Sequence, residues 1–135
     1  MIEVQATAKN VRISPRKVSL VASLVRGRTV ADALVILDHV PKKGANPVSK
    51  VIASAAANAV ENSKMDKKTL QLHTIEVTNG ITMKRFRPAA RGRALPYKHR
   101  SSNIKVVVSG EAKAVKASKA TTVKKPVKSV KKEEK

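Results

Sequence analysis

The sequence predicts an α+β fold: a two-layer sandwich of three helices on a three-stranded antiparallel sheet, with a long protruding β-hairpin arm. Three observations carry this prediction. Apolar residues alternate near both ends of the first 110 residues and recur at helical spacing between them, which segregates strands from helices. Clusters of Ser, Asn, Pro and Gly separate the periodic runs, as turns require. Between the last two strands lies a stretch, Gly80 to Ser101, that contains no acidic residue and far exceeds the roughly 2–5 residues of an ordinary hairpin loop.

The elements follow in order. Ile2, Val4, Ala6 and Ala8 alternate with Glu3, Gln5 and Thr7, the pattern of a half-buried strand. Ser14-Pro15 opens a first helix: the serine oxygen is placed to cap it, and proline at the first helical position lacks only an N–H that the helix does not use. Val18, Val21, Leu24 and Val25 mark its apolar face, and Gly27 ends it. Thr29 and Asp32 form a cap pair for a second helix, whose face is Val30, Ala33, Leu34 and Leu37 and which Pro41 closes. Asn46-Pro47 repeats the cap-and-proline signal. The third helix then carries Val48, Val51, Ile52, Ala55, Ala56, Ala59 and Val60, with small side chains that permit close packing. Leu70 and Leu72 alternate in one parity and Ile75 and Val77 in the other, so a bulge is expected near His73-Thr74. Ile104, Val106 and Val108 form the last strand, antiparallel to the one before it.

The stretch between those two strands reads as an extended arm. Eleven residues per leg at ~3.3 Å each reach roughly 35 Å, against a radius of gyration of about 13 Å for a body of this size. The arm must therefore leave the globule. Pro88, Gly92 and Pro96 suit a bent tip and are expected to interrupt regular ladder bonding there. The Asn79-Gly80 pair offers a tight two-residue turn as an alternative, which the basic run after it disfavours. The chain has one Phe, one Tyr and no Trp, and both aromatics, Phe86 and Tyr97, lie in the arm. Interleaved with arginine, they are candidates for stacking on unpaired bases while the guanidinium groups hold phosphates. Packing on each other across the arm is the competing, compatible role.

Charge points to the partner. The 135 residues include 29 Lys or Arg and 9 Asp or Glu, a net charge of +20. A compact body at that charge repels itself unless a polyanion neutralises it. Residues 1–83 contribute +6, while residues 84–105 hold eight cations and no acid. Residues 111–135 add another +6 in a low-complexity, lysine-rich run. That run offers no large apolar side chain and is expected to be a disordered tail, leaving residues 1–110 as one domain with its arm at about 80–101. A second basic cluster, Lys9, Arg12, Arg16 and Lys17, surrounds the start of the first helix, where the dipole favours a bound phosphate.

Other classes fit poorly. With no Cys there is no disulfide framework, zinc finger or thiol nucleophile. His39, His73 and His99 lack metal-ligand spacing, no carboxylate pair is marked for acid–base work, and no glycine-rich phosphate loop or GxSxG motif occurs. No catalytic residue, metal or cofactor is expected. No run approaches eighteen apolar residues and the first residues lack a signal-peptide core, so no membrane partner and a cytoplasmic location are expected. An architectural DNA-binding protein is the main rival, since the lysine tail suits it. An arginine-rich arm together with the first-helix cluster favours folded RNA, which such segments read by shape.

Three stretches carry a resemblance to a known family. VRISPRKVSLVASLVRGRTVADALVIL (residues 11–37), SKVIASAAANAVEN (49–62) and MKRFRPAARGRA (83–94) closely resemble the L-twenty-two family of large ribosomal subunit proteins of bacteria, with likeness over roughly residues 2–109. The resemblance implies a structural constituent of the large subunit that binds ribosomal RNA and supports assembly. It implies a body on the subunit's outer surface and a hairpin whose tip lines the nascent-peptide exit tunnel, near the region where macrolides bind. The implied partners are large-subunit ribosomal RNA, neighbouring ribosomal proteins and the nascent peptide, with the protein monomeric within the ribosome.

By position, the SPRK stretch puts Arg16 and Lys17 on RNA, the MKR stretch puts Met83, Lys84 and Arg85 in the arm, and the GRA stretch puts Gly92 and Arg93 near the tip. Charge and resemblance together give Lys9, Arg12, Arg16, Lys17, Lys84, Arg85, Arg87, Arg91, Arg93, Lys98 and Arg100 as the ribosomal-RNA-binding set. Met83, Lys84, Arg85, Pro88, Ala89, Ala90, Arg91, Gly92 and Arg93 form the implied tunnel-lining tip. The sequence departs from the bacterial pattern at Ala89 and Arg91, at Val18-Ser19 and at Asn103.

Overall fold

A computed structural model describes residues 2–110; the tail expected over 111–135 lies outside the described residues. The order is β1 (Ile2–Val11), α1 (Pro15–Val25), α2 (Val30–His39), α3 (Ala45–Ser63), β2 (Gln71–Pro88) and β3 (Ala94–Gly110). The strands form one antiparallel sheet in the order β1-β3-β2. β3 is therefore central, and its Ile104, Val106 and Val108 are fully buried. Each contributes about 1.5–3 kcal/mol through burial of its side chain. α3 packs on β1 and β3, α1 on β2 and β3, and α2 against α3, giving the two layers.

α1 buries Val18, Val21, Ala22 and Val25. Apolar spacing puts Leu24 on this face as well, but it is 48% exposed. The 100° step per residue rotates position 24 away from the sheet, and the smaller Ala22 takes the contact. The Ser14 side chain makes no cap bond; instead its carbonyl accepts from the N–H groups of Lys17 and Val18. After α1, Arg26 lies at φ −60°, ψ 136° and Gly27 at φ 71°, with the Arg28 N–H 3.4 Å from the Val25 carbonyl. This is a type II turn, whose third residue needs a positive φ and so selects glycine. The Arg26 side chain reaches over to donate to the Ile75 carbonyl at 3.0 Å, tying α1 to β2.

The Thr29 hydroxyl oxygen caps α2 by accepting from the Asp32 N–H at 3.2 Å, while its proton goes to the Asp32 carboxylate at 2.8 Å. α3 begins at Ala45 with Gly44 as its cap, ahead of the Asn46-Pro47 start that the sequence predicts. Pro47 then lies in the first turn, where its missing N–H again costs nothing. The end of α3 is not legible in the sequence. Lys64 adopts a left-handed φ of 50°, the Met65 N–H bonds back to the Ala59 carbonyl at 3.2 Å, and the Met65 side chain is buried. The αL residue, the backward bond and the apolar residue after it make a Schellman-type stop.

The edge of β2 is held by the α1–α2 turn, through the Val30 N–H to the Leu70 carbonyl and the Leu72 N–H to the Arg28 carbonyl, both at 3.0 Å. The register shifts between Leu72 and Thr74, so the bulge expected at His73-Thr74 is present. It lets Leu72 and Ile75 both face the core.

Candidate nucleic-acid interface

β1 stops pairing at Val11, opposite Ser102, but β2 and β3 continue as a two-stranded ribbon from Thr82↔Arg100 to Pro88↔Ala94. None of residues 84–100 is buried. The prolines predict a broken ladder here, and the ladder is continuous. Phe86 pairs with Pro96, and Pro88 with Ala94. These two pairs lie two residues apart, so both are of the same type. Proline cannot donate, which makes both non-hydrogen-bonded pairs, with the ring nitrogens on the ribbon's outer edges. The next pair closes with the Ala89 N–H donating to the Arg93 carbonyl at 2.8 Å.

The tip is a tight turn over Ala90–Arg93. Arg91 and Gly92 have φ of 57° and 69°, and the Arg93 N–H approaches the Ala90 carbonyl at 3.4 Å. Positive φ at both central residues is the type I′ arrangement, whose twist matches a hairpin. Asn79-Gly80 lies within β2 and is not a turn. A Cβ on Gly80 would stand 3.1 Å from the Ser101 carbonyl carbon, so glycine lets the two strands approach at the arm's base.

Register assigns the arm two faces, because directly paired residues share one. Lys84, Phe86, Pro88, Ala94, Pro96, Lys98 and Arg100 occupy one; Met83, Arg85, Arg87, Leu95, Tyr97 and His99 occupy the other. Phe86 and Tyr97 are thus on opposite faces and do not pack on each other. The side chain of Tyr97 is already engaged: the Arg87 guanidinium carbon sits 5.3 Å from its ring centroid and the His99 ring meets it edge-on at 5.0 Å. Phe86 is 70% exposed, opposite Pro96 and next to the Lys84–Lys98 pair on its own face. Arg91 and Arg93 stand at the tip.

The arm's cations lack acidic partners within the described residues. The salt bridges found there are His73–Glu3 at 3.8 Å and Lys105–Glu76 at 3.6 Å, both in the three-stranded region. An unneutralised ribbon of this kind presents a line of positive potential to a polyanion.

An asparagine clasp holds the arm's base. Asn10, at φ 58°, donates its N–H to the Asn103 side-chain oxygen at 2.9 Å. The Asn103 amide nitrogen reaches the Asn79 carbonyl at 3.4 Å, and the Ile81 N–H reaches the Asn10 side-chain oxygen at 3.5 Å. All three strands are joined where the β2–β3 register shifts, between Asn79 and Thr82. Sequence reasoning does not find this network. The only signal is three asparagines within strand-like runs, where that residue is disfavoured.

The first-helix cluster is only partly brought together. Arg12 and Lys17 line a groove of about 660 Å³ between α1 and the α2–α3 link, with Leu20, Leu24, Lys42 and Lys43. Arg12 and Lys43 also line a recess of about 470 Å³ with Met83, His99 and Arg100 from the arm. Lys9 and Arg16 are exposed and line neither. Lys42 and Lys43 escape a sequence reading because they stand in a short loop, far in sequence from both basic clusters. Among the described residues no group of three or more His, Asp or Glu is placed to hold a metal, and no helix is long and apolar enough to cross a membrane.

Comparison with known families matches residues 6–109 to the one described as ribosomal protein L22p/L17e. The match spans all three helices, the whole arm and the sheet apart from the first residues of β1 and the last of β3, and stops short of residues 111–135. The chain therefore belongs to the ribosomal protein L22p/L17e family, and is a structural constituent of the large subunit of the cytoplasmic ribosome rather than an enzyme.

Proposed function

We propose that the protein binds large-subunit ribosomal RNA through its arm and the basic edge of its body, supports subunit assembly, and carries the arm's tip to the wall of the nascent-peptide exit tunnel. The supporting observation is the two-stranded ribbon itself: no buried residue, seven cations from Lys84 to Arg100 without an acidic partner among the described residues, and an exposed aromatic ring on one face. Such a ribbon gains little from water and much from phosphates on both sides. Lys84, Arg85, Arg87, Arg91, Arg93, Lys98 and Arg100 bind ribosomal RNA along the arm, with Phe86 and Tyr97 as stacking residues. Lys9, Arg12, Arg16 and Lys17 bind at the body. Pro88 to Arg93 at the tip face the tunnel and the nascent peptide; Met83 to Arg85, expected with them, stand at the arm's base, where Met83 pairs with His99. Residues 111–135 form a separate basic tail.

Deleting residues 84–94 tests this reading. The shortened protein is expected to keep the melting transition of the body and to enter large subunits, at reduced occupancy in competition with the intact chain. Unfolding of the isolated body would show that the arm belongs to the core. Cofractionation of the intact chain with DNA rather than with large subunits in low salt would overturn the reading.

A further inference from the structure

The recess at the arm's base is built from three separate parts of the chain. Arg12 and Ile13 come from the link between β1 and α1, Lys43 from the link between α2 and α3, and Met83, His99 and Arg100 from the two legs of the arm. It holds about 470 Å³ and no carboxylate lines it. It also sits beside the irregular step between Asn79 and Thr82, the point where the sheet narrows from three strands to two and the arm loses the pairing of β1.

We infer that this recess seats a single phosphate group of the RNA backbone, and that the seated phosphate fixes the angle of the arm to the body. The inference rests on the RNA-binding reading above. Arg12 and Lys43 of the body and His99 of the arm, whose imidazole N–H can donate, line one concave site, so an anion held between them bridges the two parts. Guanidinium groups match the planar oxygen pairs of a phosphodiester, while Ile13 and Met83 offer apolar wall to the adjoining ribose. The arm's direction is then set during assembly, when the RNA arrives, and the asparagine clasp maintains the base before that.

Two measurements on the full-length chain test this. In the first, inorganic phosphate is titrated into the protein while backbone amides are followed by NMR. Saturable shifts confined to Ile13, Lys43, Arg100 and Ser101 are expected, weakened at least fivefold in Arg12→Gln/Lys43→Gln. Linear shifts spread over every basic segment would mean an adventitious ion only and would overturn the seat.

In the second, spin labels are attached at Ser54→Cys on α3 and Leu95→Cys on the arm, both outside the recess. Large-subunit ribosomal RNA is expected to narrow the distance distribution at least twofold. With RNA added until both proteins are saturated, Arg12→Gln/Lys43→Gln should lose most of that narrowing. Equal narrowing in both proteins, or none in either when RNA is bound, overturns the inference. Failure of both proteins to bind the RNA would instead overturn the RNA-binding reading, and the phosphate titration would still decide whether the recess is an anion seat.

Discussion

Arg91 and Gly27 both sit at turns, and their backbones demand different things of their side chains. Gly27 has a φ of 71°, and a Cβ there would meet nothing within 4 Å, so the turn after α1 selects glycine through dihedral preference alone. Gly27→Ala is expected to lower stability by about 1 kcal/mol, readable as a shift in the urea midpoint without a change of slope. Arg91 adopts the same left-handed region at φ 57° and tolerates a cost of roughly 1–2 kcal/mol. An asparagine there would relieve the strain but remove a cation from the tip, so retaining arginine fits a position whose value lies in binding. The two aromatics also differ in their surroundings. Tyr97 is held by Arg87 and His99, whereas Phe86 projects into solvent on its face. Phe86→Ala should therefore weaken RNA binding by ~1–3 kcal/mol, the range for one base–aromatic stack. Tyr97→Ala should cost less, and titration of both variants against the same RNA fragment checks the order.

The arm shows what an element can and cannot reveal through its sequence. Its existence is legible because a charged, acid-free stretch between two apolar strands has no place in a core. Its regularity is not. Proline argues against a ladder, and only the register shows that Pro88 and Pro96 both fall on non-hydrogen-bonded positions. The helices show the same division. Apolar spacing locates all three, but Ser14 does not cap with its side chain and α3 starts ahead of Asn46-Pro47, because tertiary packing chooses among nearby capping residues. The clasp of Asn10, Asn79 and Asn103 is invisible in the sequence, since it joins residues up to 93 positions apart. Its role is testable. Asn103→Ala should cost about 1 kcal/mol and should speed hydrogen exchange at the Asn10 amide more than at Val106 in the central strand. Equal acceleration at both sites would mean that the clasp has no local role at the arm's base.

Across the protein as a whole, the net charge of +20 is a property of distribution. Among the described residues the core is an ordinary set of Val, Ile, Leu, Ala and Met side chains, and it contains no charged residue. Among the described residues the cations lie outside it, densest along the ribbon and around Arg12 and Lys43, and by sequence residues 111–135 carry a further net +6. Such a protein binds by counterion release, so its RNA affinity should fall steeply with salt. Replacing Arg85 and Arg87 by glutamine should reduce the slope of log K against log salt by about 0.7–0.9 for each lost phosphate contact. An unchanged slope would show that these two side chains do not reach phosphates.

Everything proposed for the arm depends on its lying inside folded RNA while the body remains at the surface. Because the chain has no cysteine, one can be introduced at Ala90 on the tip or at Ser54 on α3, and an iron chelate tethered there will cleave nearby RNA in assembled large subunits. The tip label should cut ribosomal RNA strongly, at sites distinct from those cut by the body label and protected from solvent-borne radicals. Weak or absent cleavage from Ala90, with cutting from Ser54 alone, would contradict an RNA-embedded arm.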